Sequence, residues 1–465
     1  MSESSLNQNR RRLLKAGLAV GAASTLPLLP GCSGSAPEPK PGDAAWHNWS
    51  GGQKSNPKQW LNPRDEGELI AQMRAAPASM RVTGASHSFS ALCKTDDTLF
   101  SIDQLRGVVS HDPATLQATV WAGTRLRDIG EPLWALGQAF TNQGDVNPQS
   151  IGGACGTSTH GTGITLGSFS SMVRGMRLVT AEGEVIEANA EKDAEVFHAA
   201  TTSLGALGIV TQFTLQNRAA YKLQEQEWME PLDTVLGKID AYVKDNRHFE
   251  FWCFFEAEGA IVKTLNETTA EDTPVSSFEL PVDHILDLTS KIADSIPGMD
   301  GPMQRFLTAM YSPVQRVGRA HAIFPSPRNS RFNEMEYELP AEKGPECLKE
   351  ILDTVRKSGV RTLFPLEYRY VAADDCWLSP MQGRTTAAIS VHQHHSVDYR
   401  PLFDLVEPIF WKYGGRPHWG KLHSLDAKRL APLYPHWDDY QKVRARLDPR
   451  GRMLNEHLRK VLVTA

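Results

Sequence analysis

Met80-Arg-Val-Thr-Gly-Ala-Ser-His-Ser-Phe-Ser90 sets a histidine in a turn of small residues directly after a short apolar strand. Gly84, Ala85, Ser86 and Ser88 leave almost no side chain in the way of a bulky ligand, and Gly84 can adopt the backbone conformations that a tight turn needs. Their N–H groups can point at an anion. His87 is therefore the candidate attachment point for a cofactor. A second segment, Ile151-Gly-Gly-Ala-Cys-Gly-Thr-Ser-Thr-His-Gly-Thr-Gly163, carries five glycines and three threonines and reads as another loop of exposed donors and hydroxyls. Two such cradles imply a large, two-ended cofactor. Neither is a P-loop, because no Gly-Lys-Ser/Thr follows, and Leu166 stands where a dinucleotide fingerprint begun at Gly161 needs its last glycine. ATP and nicotinamide are disfavoured on that ground.

On these motifs the chain resembles the flavin oxidoreductases of the vanillyl-alcohol oxidase superfamily, in the branch of aldonolactone and alditol oxidases. Gly84-Ala-Ser-His-Ser88 has that branch's Gly-x-x-His-Ser form, and residues 152–163 have its Gly-Gly-rich segment ending in Thr-His-Gly-Thr-Gly. Arg416-Pro-His-Trp-Gly-Lys421 and Asp448-Pro-Arg-Gly-Arg-Met-Leu-Asn455 match as well, so the resemblance runs from about Trp46 to the C-terminus. It implies an α+β protein with a two-part FAD-binding domain of the PCMH type and a mixed-sheet substrate-binding cap. The expected divisions are 45–220 for FAD binding, 221–410 for the cap, and 411–465 for a segment returning to the FAD domain. It further implies FAD bonded covalently to His87. Around the first turn the cofactor would be held by Val82, Thr83, Gly84, Ala85, Ser86 and Ser88. Around the second it would be held by Ser150, Gly153, Gly156, Thr159, His160, Gly161, Thr162 and Gly163, with Ile209 and Val210 beside the adenine.

A net charge of −5 with both signs dispersed offers no basic stripe, which sets nucleic acid aside as a partner. Six cysteines without a Cys-x-x-Cys describe neither a zinc site nor a dense disulfide framework, and any disulfide pairing stays open. Residues 1–40 read as a targeting segment: Asn9-Arg-Arg-Arg-Leu-Leu-Lys15 followed by an apolar run to Leu29 looks like a Tat signal, too short and broken for a spanning helix. Leu29-Pro-Gly-Cys32 resembles a lipoprotein cleavage box, which leaves Cys32 as a candidate lipid anchor and an ordinary soluble periplasmic protein as the alternative. The expected location is exported, in the periplasm or on its membrane face, with the Tat machinery as a partner.

Along the folded part, Asn62-Pro63 reads as the cap and first position of a helix. Short strands follow at Arg81–Thr83, Leu99–Ile102 and Val108–Val109, with an alternating one within Thr115–Gly123. Thr124–Leu136 has Leu126, Ile129, Leu133 and Leu136 at helical spacing before Gly137. Phe249, Phe251, Trp252, Phe254 and Phe255 fall in one strand-like run that reads as sheet packed on helices.

Oxidising an alcohol with a flavin requires a group to share the hydroxyl proton and positive charge beside the reduced ring. In the alternating run Leu366–Val371, Glu367 and Arg369 point to one face. Residues alone favour a structural salt bridge there; the resemblance makes the pair a binder of substrate hydroxyls. Lys421 by itself reads as a surface charge, and by resemblance it reaches the reacting hydroxyl, where a lowered pKa would help proton transfer. His392 shares a strand face with His394 and is a candidate active-site contact; no fixed third ligand supports a metal, and none is expected. His160 reads as a loop-ordering residue and Cys155 as a small packed side chain. The expected activity is oxidation of a carbinol of a sugar lactone, polyol or related carbohydrate. Oxygen or a cytochrome or quinone acceptor would take the electrons. The alternative is a non-catalytic carbohydrate-binding flavoprotein.

Overall fold

The computed structural model describes residues 46–274, 296, 298–326 and 330–464, so the leader and Cys32 lie outside the described residues. Two small sheets come from the first half of the chain. Gln59–Leu61, Thr98–Ser101 and Met80–Thr83 form a three-stranded parallel sheet. Val185–Asn189, Val173–Val179, Ile209–Gln216, Gln117–Trp121 and Val108–Asp112 form a five-stranded antiparallel one, in that order. Gln117–Trp121 alternates buried and half-buried positions as its sequence does. The Leu126–Ala135 helix buries Leu126, Ile129 and Leu133 in the core, and Gly137 ends the turn after it with φ +74°.

Two local expectations are corrected. The helix expected from Asn62 runs Glu66–Ala75 and is capped by Asp65, whose carboxylate accepts the Glu68 N–H at 2.8 Å. The capping bond, not the upstream Asn-Pro pair, sets the start. Ile151–Gly156 is not a loop but a short α-helix, because Ser150 caps it by accepting the Gly153 N–H at 3.2 Å.

Residues 222–417 supply an eight-stranded sheet in the order Val314–Arg319, Lys222–Pro231, Gly259–Thr268, His248–Cys253, Leu366–Val371, Thr386–His394, Phe332–Pro340 and Arg416–Pro417. Every neighbour in it pairs antiparallel, so the cap sheet expected to be mixed is antiparallel throughout. The Phe332–Pro340 strand is buried along almost its whole length and so has no solvent face. Helices Gly344–Ser358 and Arg400–Lys412 bury Leu348, Ile351, Leu402 and Val406 in the same core.

After Lys421 the chain packs back on the early strands. The Met80 N–H donates to the Arg452 carbonyl at 2.7 Å, and the Tyr440 hydroxyl donates to the Ser203 carbonyl at 3.1 Å. Buried Arg81 donates to the carbonyls of Leu92, Leu204, Gly205 and Met453 at 2.5–2.8 Å. No helix among the described residues is long and apolar enough to cross a membrane.

Candidate active site

The Met80–Thr83 strand ends in the histidine turn, where Ser86 is left-handed at φ 56°. The residues just before it in space hold that turn. The Trp46 indole donates to Ser86 Oγ at 3.0 Å, the Trp49 N–H donates to the Ser86 carbonyl at 2.8 Å, and the Asn48 amide donates to the Ser88 carbonyl at 3.0 Å. From the other side the Phe89 N–H donates to the Gly420 carbonyl at 2.7 Å. His87 thereby projects into a cavity of about 460 Å³ that also meets Trp49, Phe332, Glu334, His418 and Lys421. Burial, reinforced by Arg125, Lys421 and Arg127, pushes His87 down to about 4, so its ring is neutral at pH 7.

A second cavity of about 730 Å³ shares Ser88 and Thr157 with the first. Val82, Thr83, Gly84, Ser150, Gly153, Gly156, Ile209 and Val210 line it. The chain fits a long dinucleotide here. A Cβ at Gly156 would meet no atom within 4 Å, and one at Gly84 would come 2.2 Å from Ser150 Oγ, so the groove is open where small residues line it and tight where it turns. Ala85, Ser86, Thr159, His160, Gly161, Thr162 and Gly163 line neither cavity. Instead the Thr162 hydroxyl donates to the Phe249 carbonyl and the Gly163 N–H to the Tyr370 carbonyl, docking that segment onto the large sheet.

Three neighbouring strands place the charged residues. Register sets His392 opposite Glu334, Ser390 opposite both Glu336 and Glu367, and Ala388 opposite Arg369. Lys421 Nζ lies 2.5 Å from Glu334 Oε2, and His392 Nε2 lies 3.4 Å from Glu334 Oε1. Burial would raise the Glu334 carboxyl, but Lys421 and His392 outweigh it and hold it at about 2. Arg369 pairs closely with Glu336 and lies 3.7 Å from Glu367, and the Ser390 hydroxyl also donates to Glu336. Against burial, Arg369 and Lys421 keep Glu336 well below its usual range.

Of the four catalytic candidates only Lys421 lines the cavity; Glu367, Arg369 and His392 stand behind Glu334, with Glu334, Glu367 and His392 atoms within 4.8 Å of one another. Lys421 is an ion-pair partner of Glu334 rather than the surface charge that the residue alone suggests. His160 does more than order its loop: its Nε2 bridges Glu336 at 3.2 Å and Glu338 at 3.4 Å. Cys155 is fully buried and burial raises its thiol, as a packed side chain requires.

Glu334, Glu336 and Glu338 were not singled out from sequence, although their every-second-residue spacing was visible. Lys263 was missed too; it is fully buried, 3.2 Å from Glu250, 3.6 Å from Glu225 and 3.7 Å from Asp145. Among the described residues three sets could share an ion, His160–Glu336–His418, Glu334–Glu367–His392 and Asp145–Glu250–Glu367. In each set Arg369, Lys421 or Lys263 already answers the carboxylate charge.

Residues 213–461 match the family model described as D-arabinono-1,4-lactone oxidase, and residues 57–189 match that of an FAD binding domain. The chain belongs to the D-arabinono-1,4-lactone oxidase family. It is 37% identical over 425 residues to the L-gulono-1,4-lactone dehydrogenase of Mycobacterium tuberculosis, covering 90% of this chain and 99% of that one. It is 29% identical to the L-gulonolactone oxidase of Bos taurus (90% and 98% covered) and 27% identical to the alditol oxidase of a Streptomyces species (89% and 98% covered). Its fold is that of a solvent-stable cholesterol oxidase, with a TM-score of 0.77 at 16% identity over 90% of this chain and 99% of that one. The architecture is thus an FAD-binding domain with a sheet-rich cap, and the protein is an FAD-dependent oxidoreductase acting on CH–OH groups. The non-catalytic binding reading is set aside, since these relatives are oxidoreductases.

Proposed function

We propose that the protein oxidises a carbinol of a sugar lactone or alditol, with FAD bonded to His87. The observation that carries this reading is a single cavity containing both His87 and the Lys421–Glu334 pair. FAD, when bound, supplies the hydride acceptor. Residues 45–220 are assigned to its binding, 221–410 to the cap and 411–465 to the returning segment.

Lys421 Nζ donates a hydrogen bond to the reacting hydroxyl and offers positive charge to the reduced state. Glu334, ionised and 2.5 Å away, fixes where Nζ points. His392 donates from Nδ1 to the Pro365 carbonyl at 2.8 Å, which fixes its ring with Nε2 3.4 Å from the Glu334 carboxylate. Glu367 and Arg369 stand behind Glu334 and, through the Arg369–Glu336 pair, hold the strand that carries it. Trp49, Phe89 and Phe332 form the apolar wall of the cavity and keep water from the ring C–H face.

The test is anaerobic titration of the yellow protein with a panel of aldonolactones and alditols, followed by air. Bleaching is expected with one of these substrates, and its slowing in Lys421→Ala and Glu367→Gln with FAD retained. Undiminished bleaching in both variants would refute their roles, and no bleaching by any panel member would refute the substrate class. Rapid recolouring with peroxide selects oxygen as acceptor; its absence selects a cytochrome or quinone, and relatives bear both oxidase and dehydrogenase names. Export through the Tat pathway, with Cys32 as the lipid anchor, predicts that replacing Arg10 and Arg11 with Lys retains the protein in the cytoplasm; normal export in that variant would refute it.

A further inference from the structure

His87 is half-buried, and among the described residues neither of its ring nitrogens makes a hydrogen bond. Torsion about the last bond of a histidine side chain is broad, so a ring without such bonds samples several orientations unless it is packed. Among the described residues one aromatic ring stacks on it. The Trp49 indole lies over the His87 ring at 5.4 Å between centroids and 22° between planes.

Trp49 is itself fixed on three sides. Its N–H is bonded to the Ser86 carbonyl, Phe332 meets its face edge-on at 5.2 Å and 74°, and Phe89 does so at 6.1 Å and 89°. Its neighbour Asn48 is tied to the turn through the Ser88 carbonyl, and Gln53 donates to the Phe89 carbonyl at 3.3 Å. Residues 46–53 therefore form a strap whose hydrogen bonds fix the backbone on both sides of His87 and whose indole fixes the ring.

We propose that Trp49 is a positioning residue for covalent flavin attachment, holding the His87 imidazole so that one ring nitrogen faces the 8α carbon of FAD. The inference rests on the reading of His87 as the tether. Attachment replaces one C–H bond of the 8α methyl by a C–N bond to His87. The methyl C–H and the imidazole N–H each release a proton, two electrons enter the flavin, and dioxygen takes both electrons and protons to leave as hydrogen peroxide. The attacking nitrogen needs a lone pair, and the neutral state of His87 supplies it. The remaining requirement is aim. Bond formation of this kind needs the reacting atoms about 3–3.5 Å apart and aligned, and a misplacement of about 1 Å costs on the order of 100-fold in rate.

The stack thus links the tether to the substrate strand, because Phe332 precedes Glu334 by two residues on the same strand. Phe332 meets the histidine turn by two routes, edge-on to Trp49 and stacked on Phe89 at 5.6 Å, and only the first reaches the His87 ring through a stacked side chain.

The experiment compares holoenzyme of the wild type, Trp49→Leu, Trp49→Phe and His87→Ala. Two quantities are read at fixed times after protein synthesis is stopped: total flavin bound to native protein, and flavin that stays with protein after acid precipitation. Trp49→Leu is expected to bind FAD as the wild type does while its acid-resistant share falls about tenfold at early times. Trp49→Phe, which restores a flat ring, is expected to recover most of that share, a rescue that a role in bulk packing would not require. Trp49→Met serves in place of Trp49→Leu should the latter not fold. An acid-resistant share equal to wild type at every time in the leucine or methionine variant would overturn this inference alone. Complete release of flavin by acid from the wild type, or its retention in His87→Ala, would remove the tether and this inference together.

Discussion

Replacing His160 with Gln tests whether the charged strands are held by a protonated histidine. The Nδ1 of His160 faces the Gly161 carbonyl at 2.9 Å, and Nε2 faces Glu336 and Glu338 at 3.2 and 3.4 Å. Both nitrogens point at acceptors, so both carry hydrogen and the ring is a cation. Burial favours the neutral ring, but the hydrogen bonds to Glu336 and Glu338 outweigh it and raise the group from 6.5 to about 9. Glu338 is raised to about 7 by burial and by Glu336, so the steady counter-charge is Glu336. A rise of that size corresponds to about 3 kcal/mol of folding stability. Because the folded value lies above the unfolded one, this stability is fully present below about pH 6.5 and is lost as pH rises through about 9. Urea unfolding of wild type and His160→Gln, followed by tryptophan fluorescence, should differ by about 3 kcal/mol at pH 6 and converge by about pH 10. An equal difference at both pH values would show that His160 contributes by packing and refute the charge argument.

Gly84→Ala puts a methyl 2.2 Å from Ser150 Oγ and 3.1 Å from Ser150 Cβ, displacing the cap of the Ile151–Gly156 helix. Flavin content should fall and recover in part in the Gly84→Ala/Ser150→Gly pair, as absorbance per mole of protein will report. Arg81→Met leaves four carbonyls, three of them buried, without their donor and is expected to destabilise by more than about 3 kcal/mol, read from the urea midpoint. Glu334→Gln releases Lys421 from its partner and should slow anaerobic bleaching about tenfold or more with bound FAD unchanged; stopped-flow measurement at 450 nm, about the flavin absorption maximum, decides it.

The histidine turn, the shared face of Glu367 and Arg369 and the run before Lys421 stand out because each has a local signature: small residues in a turn, alternation along a strand, or a specific run of neighbours. The three glutamates of Phe332–Pro340 alternate just as clearly. Glutamate at every second strand position ordinarily marks a solvent face. Here Met335, Tyr337 and Leu339 are buried as well, so both faces are covered and the carboxylates turn toward Lys421, Arg369 and His160. Nothing local distinguishes those two cases. Ile151–Gly156 was obscured for a different reason. Glycine costs about 1 kcal/mol per helical position, and only the Ser150 cap together with packing on Ala122 offsets it. The Trp49–His87 stack joins residues 38 positions apart, beyond any periodicity.

The hold that residues after 450 take on the first strands has a consequence for how the protein is made. Arg81 reaches the Met453 carbonyl, the Met80 N–H reaches the Arg452 carbonyl, and the Asn455 amide donates to the carbonyls of Ala91 and Lys94 at 2.8 Å. A chain emerging from the ribosome folds from its N-terminus first, yet these fastenings are translated last. The floor beneath the dinucleotide groove therefore sets only once residues 452–455 have been made, and products cut short before Met453 should emerge colourless. Yellow colour then certifies an intact C-terminus.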